Sequence, residues 1–194
     1  MSLKTIKRRR MECKTDYVLR LNILKSKLQR IVVRRTNKYF IAQIVGSVAA
    51  QDTVILGVTS KDLIEYGWDS KAVGSLKSIP AGYLTGYLLA KKAKSGEYIV
   101  DLGMAKNHNG GRLYSVIAGL VAGGLNVHAS KEVFPSEERL MGEGLKPEVK
   151  TMISKVKTNL GGALTVKTEK KVAKKPKKAP SNAVQSPTVK EENK

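Results

Sequence analysis

The sequence predicts a mixed α/β fold, one sheet opened by an antiparallel meander and covered by helices. Three observations predict it. Segments of strand composition at about 30–35, 39–46 and 53–58 follow one another with connectors too short for anything but antiparallel pairing. Helical and strand-like stretches then alternate, through IPAGYLTGYLLAKKA, YIVDLGM and the run from Leu113 to Val121. The 194 residues suffice for one domain with a real core plus some unstructured sequence. Aromatics are scarce (5%), so that core must be mostly Ile, Leu, Val and Ala.

Taken in order, residues 1–16 form a basic arm with Lys4, Lys7, Arg8, Arg9, Arg10 and Lys14. Lys7, Arg10 and Lys14 would share one face of a helix, but the arm has almost nothing to bury. Tyr17 to Leu24, YVLRLNIL, begins the apolar material, and its pattern fits helix and strand equally. Between the first two strands lie Arg34, Arg35, Thr36, Asn37 and Lys38; a tight reversal favours Gly, Asn or Asp, and only Asn37 answers. The third strand is TVILGV. Ser60 is the expected N-cap of a short helical turn that Gly67 ends.

Residues 79–93 are a helix that Pro80 starts, with Leu84, Tyr87 and Leu88 on one face. Glycine costs helix stability, so Gly82 and Gly86, four apart, predict close approach to the sheet. YIVDLGM (98–104) is nearly continuously apolar and predicts a buried strand. After the polar loop AKNHNGGR, the spacing of Leu113, Val116, Ile117, Leu120 and Val121 predicts a helix. Pro147 opens another over 147–157, striped by Val149, Met152, Ile153 and Val156. The expected division is an arm (1–16), an α/β body (17–162) and a Lys/Pro-rich tail (163–194). The tail has too few large apolar residues to offset its ordering entropy, and contact with RNA and disorder both fit it.

Charge says more about partners than about fold. The net charge is +20, with a pI near 10.1, which points to a polyanion. Residues 1–38 carry thirteen Lys/Arg against Glu12 and Asp16, a net of +11, and residues 165–194 a net of +6, so cations flank a nearly balanced body. The single cysteine, Cys13, excludes an internal disulfide, fits a reducing compartment, and is expected as a small packing side chain. No apolar run approaches 20 residues and no apolar segment follows the basic N-terminus. A soluble intracellular protein, with no membrane span and no secretory signal, is expected.

The enzyme case is poor. A two-metal nuclease needs clustered carboxylates, and only Asp52 and Asp101 fall at or inside predicted strands. Asp101, buried in YIVDLGM, needs a partner, and a hydrogen-bonded structural acid is the preferred reading over a metal ligand. His108 and His128 show no zinc spacing, and Gly110-Gly111 before a helix lacks the phosphate-loop Lys-Ser/Thr. No catalytic residue, metal, cofactor or small-molecule substrate is expected. The binding case is better. Lys7-Arg8-Arg9-Arg10 supplies counterion-release affinity, while KTDYVLR (14–20) and RRTNKY (34–39) interleave cations with Thr, Asn and Tyr, the types that reach bases. Tyr17 and Tyr39 fit stacking and core packing equally. A metal-dependent nuclease using Asp101 and Asp52 with Mg²⁺, and a non-specific basic packaging protein, are the alternatives.

KRRRMECKTDYVLRLNIL followed by RIVVRRTNKYFIAQIV resembles the universal large-subunit ribosomal protein eighteen family, the 5S rRNA binders. The resemblance continues in order through SKDLIEYGW, IPAGYLTGYLLAKKA, YIVDLGM and PSEERLMGE, covering about residues 6–145. The YGW, AGYLTG and EERLMGE blocks, with a length below that of eukaryotic members, look archaeal-type. The resemblance implies a three-layer domain of ribonuclease-H-like topology without that fold's catalysis. It implies a cytoplasmic place in the large ribosomal subunit, where the protein joins 5S rRNA to the large rRNA in the central protuberance. The neighbours it implies are other large-subunit proteins, including the other 5S-binding protein. It carries RNA contact onto Lys7, Arg8, Arg9, Arg10, Lys14, Thr15, Tyr17, Arg20, Arg34, Arg35, Asn37 and Lys38. The family's Glu-Gly-Lys-Thr is here Glu12-Cys13-Lys14-Thr15, which predicts a different backbone turn.

Overall fold

The computed structural model describes residues 6–49 and 51–161. Lys4, with the first five residues, and the Lys/Pro-rich tail lie outside the described residues. Among the described residues five strands form one mixed sheet: β1 (Gln29–Arg35), β2 (Phe40–Val48), β3 (Gln51–Thr59), β4 (Glu97–Asp101) and β5 (Asn126–Val127), in the order β3-β2-β1-β4-β5. The first three are the antiparallel meander expected, whereas β4 pairs parallel with β1, and β5 parallel with β4. The α-helices are α1 (Arg8–Met11), α2 (Tyr17–Lys25), α3 (Ile79–Lys92), α4 (Arg112–Ala122), α5 (Glu137–Leu140) and α6 (Pro147–Asn159). Among the described residues, no helix is long and apolar enough to cross a membrane.

Side-chain alternation along β1 separates two chemistries. Ile31 and Val33 pair with Ile44 and Ala42, and all four are buried in the main core with Phe40 and Val58. Arg30 and Arg34, on the opposite face, meet acids instead. An irregularity at Ile44/Val45 breaks the alternation, so both of these consecutive side chains are buried. Beyond it the β2–β3 hairpin runs into solvent: Val48, Val54 and Ile55 are more than half exposed, and β3 is the sheet margin.

The helical face is built around α3. Every residue from Pro80 to Ala90 is buried, so the helix is wrapped rather than amphipathic, and the predicted Leu84, Tyr87 and Leu88 face is only part of its contact. The glycines face a different neighbour from the one expected. A Cβ on Gly86 would run into the Val116 carbonyl of α4, one on Gly119 into the Tyr83 carbonyl of α3, and one on Gly123 into the Ala90 methyl. A Cβ on Gly82 would run into the Ser115 hydroxyl of α4 and sit 3.2 Å from the Phe40 ring of the sheet. These glycines bring two helix backbones together; only Gly82 also serves the sheet. Pro147 begins α6, with Val149, Ile153 and Val156 buried and Met152 half-buried, as the stripe predicts.

Several local expectations change. The turn Ser60–Ile64 is a 3-10 turn capped by Thr59, whose N–H and hydroxyl donate to the Asp62 carboxylate (3.0 and 2.7 Å). Ser60 is instead buried, its hydroxyl oxygen accepting the Phe40 N–H at 3.1 Å. β4 ends at Asp101, because Leu102-Gly103 turns away, and Ile99 and Val100 are only half-buried. The helix of the arm ends at Met11, so Lys14 does not share a helical face with Lys7 and Arg10. Cys13 is exposed rather than packed.

Candidate nucleic-acid interface

The reversal between β1 and β2 solves its turn problem with a side chain. The Thr36 N–H donates to the Tyr39 carbonyl (2.9 Å), its hydroxyl donates to the same oxygen (2.7 Å), and the hydroxyl accepts the Tyr39 N–H (3.0 Å). Threonine thus supplies the local hydrogen bonds that Gly or Asp turns obtain otherwise. Asn37 and Lys38 stand exposed at the tip. Tyr39 is half-buried, with the Lys61 ammonium 4.6 Å from its ring centroid.

Consecutive arginines at the end of β1 then take opposite directions. Arg34 is clamped: Nη1 donates to the carbonyls of Asp101 (2.7 Å) and Val33 (2.9 Å), and Nη2 pairs with Asp101 Oδ1 at 3.1 Å. Its guanidinium lies so close to Gly103 that a Cβ there would sit 2.9 Å from Arg34 Cζ. Arg35 is exposed, and its side chain has no hydrogen-bond or ion-pair partner among the described residues.

Behind Arg34 runs a ladder of alternating charge. Arg30, with a side chain only 3% exposed, pairs with Asp101 Oδ2 (3.2 Å) and Asp52 Oδ1 (2.7 Å). Asp52 Oδ2 accepts from Arg20 of α2 at 2.8 Å, and Oδ1 from the Ser47 hydroxyl at 2.8 Å. Burial alone raises the Asp52 carboxyl, but hydrogen bonds from Arg20, Ser47 and Arg30 and the Arg30 charge outweigh it. The net effect is a carboxyl held below its ordinary value of 3.8. Through this ladder α2 is tied across the polar face of the sheet to the hairpin. Asp101 has the structural role preferred for it, with two arginines and the Gly103 N–H (2.8 Å) as partners.

The described part of the arm is held by its own short contacts. Asp16 caps α2 by accepting the N–H groups of Val18 (2.9 Å) and Leu19 (3.2 Å). Arg9 Nε donates to the Thr15 hydroxyl at 2.8 Å, Lys14 pairs with Glu12 at 2.8 Å, and the Lys7 ammonium lies 4.6 Å from the Tyr17 ring centroid. At the end of α1, the Lys14 N–H reaches the Arg9 carbonyl and the Cys13 N–H the Arg10 carbonyl, with Cys13 at φ +52°. That is the Schellman pattern, whose αL position favours glycine. Cys13 thus holds a backbone position at which glycine is favoured.

Of the twelve residues singled out for RNA, Arg9, Lys14, Thr15, Arg20 and Arg34 line one recess of about 110 Å³ with Asp101. Arg35 lies beyond it with Lys14 and Arg34 in a larger cleft. Lys7, Arg8, Arg10, Asn37 and Lys38 are exposed outside both, and Tyr17 is half-buried outside the core. Sequence reasoning missed Arg30, Lys61, Lys106, Arg112 and Arg139. For Arg30 a signal existed, since a buried Asp101 demands a cation, but the pairing depends on β4 lying beside β1. Among the described residues, no group of three or more His, Cys, Asp or Glu is disposed to hold a metal.

The family model described as ribosomal large subunit proteins 60S L5 and 50S L18 matches residues 2–97. Large ribosomal subunit protein uL18 of Korarchaeum cryptofilum is 45% identical over 139 residues, 70% of this chain and 69% of its own length. The uL18 of Methanoculleus marisnigri is 38% identical over 166 residues, covering 84% of this chain and 93% of that protein. The uL18 of Methanoregula boonei is 37% identical over 139 residues, 70% and 78% of the two chains.

Proposed function

The chain belongs to the uL18 family of large-subunit ribosomal proteins, and from that premise we propose that its arm and first hairpin bind 5S rRNA and help attach it to the large rRNA in the central protuberance. Membership makes it a structural, non-enzymatic constituent of the large subunit in the cytoplasmic ribosome, archaeal in type by its relatives. The observation that carries the proposal is the Arg20–Asp52–Arg30–Asp101–Arg34 ladder. It ties α2, the helix that directly follows the arm, to the hairpin's root, so two basic segments distant in sequence are presented to one polyanion with less left to order on binding.

In this reading the exposed Arg8, Arg10, Asn37, Lys38 and Arg35 meet phosphates and base edges directly. Lys7, Arg9, Lys14 and Thr15 hold the arm's shape and contribute charge, Tyr17 offers a face for stacking, and Arg20 and Arg34 act mainly as braces. The proposal includes a three-layer body of ribonuclease-H-like topology. The strand order 3-2-1-4-5, with an antiparallel meander and two parallel strands, supports it. It also includes the division into arm (1–16), body (17–162) and Lys/Pro-rich tail (163–194), and contact with neighbouring large-subunit proteins, the other 5S-binding protein among them. The nuclease alternative is not favoured, because the Arg30 guanidinium occupies the space between Asp52 and Asp101 that a cation would need. Specific packing of an ordered body likewise disfavours a generic packaging protein.

Filter binding of the full chain to a 5S rRNA transcript and to an unrelated RNA of equal length, at several salt concentrations, tests this. Changing Arg8, Arg10 and Lys38 together to Ala is expected to weaken 5S binding and lower the log–log salt slope by roughly one unit per lost phosphate contact. Equal affinity of wild type for both RNAs, or an unchanged slope in the variant, would refute it.

A further inference from the structure

A second basic surface begins at Lys14, Arg34 and Arg35 and extends onto residues that neither the arm nor the hairpin tip includes. Two recesses of about 560 and 470 Å³ share Arg35, His108, Gly111 and Arg112 in their walls. Lys106 joins the first and Arg139 the second, and Glu143 is the one acid in either lining. Three connections converge here: the end of β1, the loop between β4 and α4, and α5. Lys106, His108 and Arg112 are exposed, and their side chains have no hydrogen-bond or ion-pair partner among the described residues. Arg139 is fixed at the rim, its Nη1 donating to the Gly110 carbonyl at 3.3 Å.

An unpaired cluster of this sign costs self-repulsion in the free protein, and nothing in the core explains it. The walls are not uniformly charged: Met104, Leu102 and Leu113 line one recess, Ile79 and Leu145 the other. Guanidiniums beside apolar walls are the combination that takes phosphates together with unstacked bases or riboses. A lone small anion would use the cations and leave the apolar walls wet. α4 begins at the shared wall with no side-chain cap on its first turn, so backbone N–H groups add to the same polarity.

We propose that the joined cleft of Arg35, Lys106, His108, Arg112 and Arg139 binds a run of unpaired RNA, its phosphates on the arginines and lysine and its bases or riboses on the Met104–Leu113 wall. This rests on the ribosomal reading but is separable from it, since Lys106, Arg112 and Arg139 belong to neither the arm nor the first hairpin. The RNA is either a 5S rRNA loop or a segment of the large rRNA, and the experiment distinguishes them.

Full-length wild type, Lys106→Ala/Arg112→Ala and the arm–hairpin variant Arg8→Ala/Arg10→Ala/Lys38→Ala are titrated against a 5S rRNA transcript, a large-rRNA transcript and an unrelated RNA, across salt. The cleft variant is expected to lose about tenfold or more in affinity for one of the two ribosomal RNAs, with a salt slope lower by roughly one to two units. The RNA affected identifies the source. A charge-keeping Lys106→Arg/Arg112→Lys variant should retain most of the slope, and unchanged thermal unfolding excludes a folding defect. Wild-type affinity and slope of the cleft variant toward both ribosomal RNAs, while the arm–hairpin variant loses binding, would overturn the cleft and leave the arm. Failure of wild type to prefer either ribosomal RNA over the unrelated one would instead remove the reading on which the cleft rests.

Discussion

Cys13 occupies the αL position of a Schellman motif, where a Cβ costs roughly 1 kcal/mol that glycine avoids. Cys13→Gly is therefore expected to steady the arm, slowing hydrogen exchange of the Lys14 amide by about two- to fivefold. Faster exchange would show that backbone freedom in the unfolded arm outweighs the relieved strain. Asp52 makes a pH prediction. Its folded carboxyl lies below the unfolded value of 3.8, so its stabilisation is fully present above that value and is lost as pH falls through the depressed one. Asp52→Asn should lower stability at pH 7 by about 1–3 kcal/mol, and the gap to wild type should close below pH 4 in urea titrations. A gap constant with pH would mean that the charge contributes nothing. At this scale the cations of the arm and hairpin were legible because composition exposes them. Which cation does what was not: adjacent Arg34 and Arg35 read alike, and only the alternation of a paired strand sends one to Asp101 and the other to solvent.

Elements were legible where periodicity is local. The meander, α3, α4 and α6 stand where their patterns place them, with bounds moved by one or two residues. YVLRLNIL became α2 because Asp16 supplies the cap that its apolar pattern alone could not decide. The glycines of α3 were recognised as contact devices and assigned mainly to the wrong partner, since the sequence does not say which element lies over a helix. Gly86→Ala decides their role by sign. Helix propensity alone would make it stabilising by about 1 kcal/mol. The Val116 carbonyl in the path of the new Cβ predicts instead a loss of roughly 1–3 kcal/mol in urea unfolding, as the two helices are forced apart. The short β5, and the two 3-10 segments over Ser70–Lys77, carried no readable signal: one is two residues long, the other is broken by a non-helical Ala72.

Over the whole molecule, the fold class followed from strand and helix order, but the placement of β4 beside β1 did not. That pairing joins residues some seventy positions apart, and it brings Asp101 to Arg30 and Arg34 and the loop after β4 to the end of β1, which both the ladder and the basic cleft require. The net charge of +20 was the clearest signal of all and specifies the chemistry of the partner without its contacts. It has another effect at the margin of the sheet. Among the described residues β3 ends the strand order with an unpaired edge, and Val54 and Ile55 stand 57% exposed beside it, which makes a template for another chain's strand. Between RNA-free copies, mutual repulsion is what keeps such edges apart, and it reaches only about 10 Å at 0.1 M salt and 3 Å at 1 M. Light scattering of the free chain is thus expected to grow with ionic strength, and a Val54→Lys variant should stay dispersed; scattering that falls with salt would contradict this. The same net charge that favours a polyanion partner also keeps free copies of the chain apart.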